Sequence, residues 1–167
     1  MPDTTPPPVP RIDGLGRWRQ IVERRRVQME AAYARADIGT VDYWGKRAKT
    51  YRAALHERTD EDPFLLRVLR DVTAESTVLD VGAGTGRHTL ELAPRVARVT
   101  AVDPSVAMLG LLREDMAARG VGNIDAVQGE WLSTEVPPAD VAICSHVLYP
   151  IADIEPFIRK LAASARQ

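Results

Sequence analysis

Val78-Leu79-Asp80-Val81-Gly82-Ala83-Gly84-Thr85-Gly86 reads as a short apolar strand running into a glycine loop. Valine and leucine on either side of Asp80 suit a strand covered on both faces, and glycines at alternate positions permit positive φ and close backbone approach. Free N–H groups where such a loop enters a helix attract an anionic group. A glycine loop alone fits any tight turn. An acid further on sharpens the reading: Asp103 ends the next β-branched run, residues 98–102, about 20 residues beyond the first glycine. There a carboxylate can accept from both ribose hydroxyls of an adenosine. The dinucleotide fingerprint G-x-G-x-x-G needs Gly or Ala at its sixth position, and here Arg87 stands at it, which disfavours a nucleotide-dependent oxidoreductase.

Outward from this stretch, short β-branched runs alternate with helical ones. Strands are expected at residues 77–81, 98–102, 124–128 and 141–145, with helices at 87–93 and 105–119, the latter closed by Gly120, and a last helix from Asp153. This alternation predicts an α/β fold with a parallel sheet and right-handed crossovers, binding its ligand at the carboxyl ends of the strands. Three helices precede the first strand. Residues 17–36 carry Trp18, Val22, Met29 and Tyr33 at helical spacing, and Arg24, Arg25 and Arg26 between them read as a solvated face, with a patch for an acidic partner as the alternative. Residues 42–58 carry Trp44, Ala48, Tyr51 and Leu55. The third helix starts from Asp62 as N-cap and Pro63 at its first position, with Phe64, Leu65, Val68 and Leu69 inward. The domain plan is a proline-rich tail (1–10), an N-terminal helical cap (11–72) and an α/β core (73–167).

Composition narrows the function classes. Hydrophobic residues at 45% and charged residues at 27% describe a globular chain. A net charge of -1 gives no general field for nucleic acid, which is not an expected partner. One cysteine, Cys144, rules out an internal disulfide or a multi-thiolate zinc site, and no metal is expected. No apolar run approaches a membrane span and residues 1–10 do not resemble a signal peptide, so the expected location is cytoplasmic, without a membrane partner.

Together, Asp80-x-Gly82-x-Gly84-x-Gly86 and Val99-Thr100-Ala101-Val102-Asp103-Pro104-Ser105 resemble the first two motifs of class I S-adenosylmethionine-dependent methyltransferases, of the methyltransferase-11 and -25 kind. The likeness continues through residues 123–131 and 139–149, about half the chain. It implies a Rossmann-like, three-layer fold and S-adenosyl-L-methionine as cofactor. By that resemblance Asp80, Gly82, Ala83 and Gly84 hold the methionine part, Asp103 binds the ribose, and Pro104 and Met108 line the adenine. Glu130, where the family most often has aspartate, accepts from the adenine amino group, and Ser145 adds to the site from the end of the fourth strand. Trp131 flanks the ring or is a core tryptophan. Residues 43–48 resemble a segment that closes over the cofactor, with Trp44 within it and Arg47 either pairing with the methionine carboxylate or lying on a helix surface.

Transfer from a sulfonium needs mainly positioning, with a base where the acceptor must lose a proton. His146, just past the fourth strand, is the candidate base, and bracing of the loop is its alternative. His88 reads as structural or cofactor-lining. No Asn-Pro-Pro-Tyr follows the fourth strand and Cys144 lacks a preceding proline, so the resemblance points to a small-molecule acceptor rather than a nucleobase. A non-catalytic cofactor-binding or partner-binding module stands as the second reading. The family's sheet has seven strands and this sequence supplies four. The core is therefore expected to be partial, truncated after strand four, with residues 141–145 as an apolar edge inviting a homodimer.

Overall fold

A computed structural model describes residues 13–35, 43–56 and 62–166. The expected proline-rich tail at 1–10 lies outside the described residues. Helices α1 (Gly14–Arg35), α2 (Tyr43–His56) and α3 (Pro63–Asp71) precede an alternating core. That core runs β1 (Thr77–Val81), α4 (Thr89–Leu92), β2 (Arg98–Asp103), α5 (Val106–Arg119), β3 (Ile124–Gln128), β4 (Val141–Ile143) and α6 (Ile154–Ala163). All four strands are parallel, in the order β3-β2-β1-β4. The chain moves outward from β1 to β3 and then returns to the other side of β1, so the topology switches between β1 and β4. Parallel sheets of this kind open a crevice there, beyond the carboxyl ends of the strands.

Both faces of the sheet are covered, as its unbroken apolar strands require. Val78, Val99, Ala101 and Ile143 pack with Leu90, Leu92, Leu109, Leu112 and Val68 on one face. Leu79, Val81 and Val102 pack with Trp131, Ala139 and Phe157 on the other. Outside the sheet, α2 sets Ala48 and Tyr51 on Met108 and Leu111 of α5. On the opposite flank α1 docks on the segment after β4, where the Trp18 indole N–H donates to the Ile151 carbonyl (2.7 Å) and Arg19 pairs with Asp153 (2.9 Å). At the far end of α1, the Arg47 guanidinium of α2 lies over the Tyr33 ring. Thus α1 runs from the β4 side of the molecule to the α2–α5 side.

The structure departs from expectation at the start of α1, which is Gly14 rather than residue 17, at the ends of α4 and β4, and at Phe64. The helix expected at 87–93 is only Thr89–Leu92, because turns occupy the residues before it and Pro94 converts the next three residues to a 3-10 turn. Strand β4 ends at Ile143, since the backbone soon turns into the left-handed region at His146 (φ 60°). Phe64, expected inward, is 38% exposed, yet its ring leans on that of His88 (5.0 Å). Along β4 the edge is open except where Ala139 bridges Ala165, with Ala139 N–H donating to Ser164 and Arg166 N–H donating to Ala139. Ser105, read from the sequence as the first residue of the helix, is instead the N-cap of α5, which ends as expected on left-handed Gly120.

Asp62 ties the helical cap to the glycine loop. Its carboxylate accepts from the Phe64 N–H (3.0 Å) at the start of α3 and, through Oδ2, from Arg87 (2.6 Å), with His88 Nε2 3.1 Å away. Burial works to raise its pKa, but hydrogen bonds from His88, the Leu65 N–H and Arg87 outweigh it and hold the group at about 2. A folded value below the unfolded one means that this contact stabilises fully above about pH 4 and is lost as the pH falls toward 2. Asp62→Ala is expected to lower the unfolding free energy by about 1–3 kcal/mol at neutral pH. In urea titrations the gap between the two proteins should close as the pH drops through that window.

Candidate active site

Beyond β1 the chain passes beneath the end of β2: the Gly82 and Ala83 N–H groups both donate to the Val102 carbonyl (2.7 and 3.1 Å). Gly82, Gly84 and Gly86 all have positive φ. A Cβ at Gly82 would run into Val147 Cγ2, and one at Gly86 into Leu112 Cδ1 in the core, so a side chain at either would displace its neighbour as well as strain the positive-φ backbone. At Gly84 a Cβ would meet nothing within 4 Å. The loop is therefore buttressed on both sides and open in the middle.

Asp103 closes this loop from β2. Its Oδ2 accepts from the Gly84 N–H (2.9 Å) and its Oδ1 from the Ser105 N–H (2.8 Å), leaving further lone pairs on each oxygen for a diol. Only 8% of Asp103 is exposed. Burial pushes its pKa up against those two hydrogen bonds, and the charge of Glu130 adds to the rise. Asp80, 3% exposed, accepts from the Thr89 hydroxyl (2.6 Å). Its pKa is also raised, chiefly by burial, which the Thr89 bond opposes. These acids gather negative charge along one side of the crevice, which suits a cationic ligand.

Across from them, after β4, stand Ser145, His146, Val147 and Tyr149. His146 is exposed, and its Nδ1 lies 2.8 Å from the Tyr149 hydroxyl. Cys144 is half-buried, and its thiol is pushed up to about 11 by burial and by Asp80's charge, which removes it as a nucleophile. No group of metal-ligating side chains occurs among the described residues.

Residues named from the sequence thus fall into distinct places. Asp80, Gly82, Ala83, Gly84 and Asp103 converge on the loop, and Glu130 is exposed just beyond β3, near enough for its charge to act on Asp103. Pro104 is exposed beside them, its carbonyl accepting from Gln128. Met108 is 3% exposed beneath α2. Trp131 lies in the core: it is 5% exposed, packs on Phe157 and donates its N–H to the Phe157 carbonyl (3.3 Å), with Lys160 Nζ over its ring. Trp44 is 45% exposed and meets Tyr51 edge-on. His88 is 6% exposed, held between Asp62 and Phe64 in a structural role. Reading the sequence missed Thr89, the Asp62–Arg87 pair and the contact of Val147 on Gly82. Only the geometry reveals these, since a hydroxyl in an apolar helix or a valine after a strand carries no distinctive spacing.

A family model described as a methyltransferase domain matches residues 78–167. The chain belongs to that family. An uncharacterized methyltransferase of Bacillus subtilis, YcgJ, is 28% identical over 126 residues, 74% of this chain and 50% of its own length. Its crystal structure superposes with a TM-score of 0.58 at 27% identity, over 62% of this chain and 46% of that one. The DhpI–SAM–HEP complex gives a TM-score of 0.61 at 26% identity, over 76% and 59% of the two chains. A 23S rRNA (uracil-C5) methyltransferase of Chromohalobacter salexigens is 39% identical over 92 residues, 54% of this chain and 19% of its own. The chain thus spans about half the length of its B. subtilis relative. These likenesses give this methyltransferase domain the class I, Rossmann-like fold, here with four described strands, and S-adenosylmethionine as cofactor. The open space over Gly84 and the spare lone pairs of Asp103 fit that group.

Asp103→Ala is expected to weaken S-adenosylhomocysteine binding by tens to hundreds of fold, the equivalent of about 2–4 kcal/mol. Isothermal titration checks this, and unchanged affinity would remove the ribose role.

Proposed function

We propose that this chain transfers a methyl group from S-adenosylmethionine to a small-molecule acceptor in the cytoplasm. The observation that carries the reading is the Asp103 carboxylate, which holds the glycine loop and the start of α5 while keeping acceptor capacity toward the open space above Gly84. Asp80, Gly82, Ala83 and Gly84 take the methionine part, Pro104 and Met108 the adenine surroundings and Glu130 its amino group. Trp44, Arg47 and Ser145 belong to the same proposed site, and Trp131 supports it from the core.

When bound, the cofactor supplies an electrophilic methyl on a sulfonium. What remains for the chain is to place an acceptor oxygen or nitrogen in line and to exclude water. His146 is the proposed base: in the tautomer whose Nδ1–H donates to the Tyr149 oxygen, Nε2 is the atom that takes the acceptor's proton. The net charge of -1 favours a small molecule over a polyanion. No helix among the described residues is long and apolar enough to cross a membrane.

A radiolabelled methyl-release assay over an acceptor library is expected to find turnover with at least one small molecule. Cofactor binding without turnover on any acceptor would favour the non-catalytic module. The reading includes a homodimer through the open β4 edge. Sedimentation at low micromolar concentration should show the dimer, and a stable monomer with full turnover would remove it.

A further inference from the structure

The arginine run of α1, which as sequence looks like one solvated face, is split three ways by the fold. Arg26 turns to its own helix and pairs with Glu23 and Glu30. Arg24 lies beside Arg19, Gln20 and Glu23 on the outer surface. Arg25 is also exposed, but it lies along the helix between Val22, which is 5% exposed, and the half-buried Met29, and it reaches a residue beyond its own helix. Its guanidinium sits 5.5 Å from the centroid of the Tyr149 ring. Among the described residues no carboxylate pairs with Arg25, although Arg19 and Arg26 on the same helix both have one.

Tyr149 has a second neighbour: its hydroxyl is 2.8 Å from His146 Nδ1, and His146 holds a left-handed backbone uncommon for any residue with a Cβ. One phenol thus carries an unpaired guanidinium on its ring and an imidazole at its hydroxyl, just past the carboxyl end of β4. The Trp18–Ile151 and Arg19–Asp153 contacts fix α1 against this segment within two turns of Arg25. The segment that carries His146 and Tyr149 adjoins the glycine loop: Asp80's charge acts on Cys144, and Val147 packs against Gly82.

We infer that Arg25, His146 and Tyr149 form an acceptor subsite for a small molecule carrying an acidic oxygen, a carboxylic acid or a phenol. The inference rests on the methyltransferase reading above and names its substrate class. A carboxylic acid arrives already ionised, whereas a phenol gives its O–H proton to His146 Nε2; in either case an electron pair on the acceptor oxygen forms the new bond to the methyl carbon, and the methyl–sulfur bond breaks with its pair returning to sulfur. The imidazolium then releases its proton to water. Arg25 acts as a specificity residue, since its charge attracts the acceptor oxyanion and repels the ammonium form of an amine.

The test uses the full chain saturated with S-adenosylhomocysteine at pH 8, with benzoate, 4-nitrophenolate, benzamide and benzylamine as probes followed by calorimetry and by NMR of the His146 ring. At least one of the two anions should bind at least about tenfold more tightly than both neutral and cationic probes. Benzoate alone marks a carboxylate acceptor, and nitrophenolate alone a phenolic one. Arg25→Gln should remove the preference and Arg25→Lys should restore part of it, with thermal melting showing that both variants fold. Anion binding should also shift the His146 ring resonances, which a purely structural Arg25 would not do. If the homocysteine analogue binds but no anion is preferred, or the preference survives in Arg25→Gln, this inference is overturned and the methyltransferase reading stands. Failure of the analogue to bind the parent chain overturns both.

Discussion

The carboxylate of Asp103 is the point on which the crevice is built. With one oxygen on the Gly84 N–H and the other on the Ser105 N–H, it joins the loop after β1 to the N-terminus of α5. Neither a loop of three glycines nor the first turn of a helix is rigid by itself, because the first has little steric restraint and the second has unsatisfied donors. A single buried anion restrains both. Its burial disfavours the charge, and the N–H donors compensate in part. A ligand that adds donors or positive charge at Asp103 completes that compensation.

Two features make such a clamp possible. Parallel pairing in register places Asp80 and Val81 of β1 beside Ala101 and Val102 of β2, so the loop leaves β1 level with Asp103. The switch in strand order then puts the segment after β4 on the other side of the loop, where Val147 occupies the space a side chain at Gly82 would take. Charge follows topology: the acids come from β1, β2 and the turn after β3, while Arg25, over the Tyr149 ring, comes from a helix outside the sheet.

Much of this was legible in the sequence because it depends on local rules. The order and type of elements follow from β-branched runs alternating with amphipathic ones, and the Asp62 cap of α3 and the Gly120 end of α5 follow from residue type and position. The spacing from Gly82 to Asp103 pointed to a glycine loop and an acid that the fold does bring into contact. Less legible was whatever depended on tertiary packing. Trp131 could be read as ring-flanking or core, and only the packing of Phe157 and Lys160 around it places it in the core. The three consecutive arginines are indistinguishable by composition, and the rotation of α1 alone gives each a different neighbour. Short helix α4 was overestimated because Arg87 and His88, read as helical, lie in the turns that follow the glycine loop.

The pairing of β1 also has a temporal side. On one edge it meets β2 after a brief crossover, whereas on the other Thr77 meets Asp140, 63 residues downstream. Closing the longer loop costs more chain entropy and is slower. As the polypeptide leaves the ribosome, strands β1, β2 and β3 can assemble with the Asp103 clamp before the ribosome has made β4. Translation thus delivers the glycine loop and its clamp first, while the packing of Val147 on Gly82 and the contacts of α1 with Ile151 and Asp153 wait for the later part of the chain.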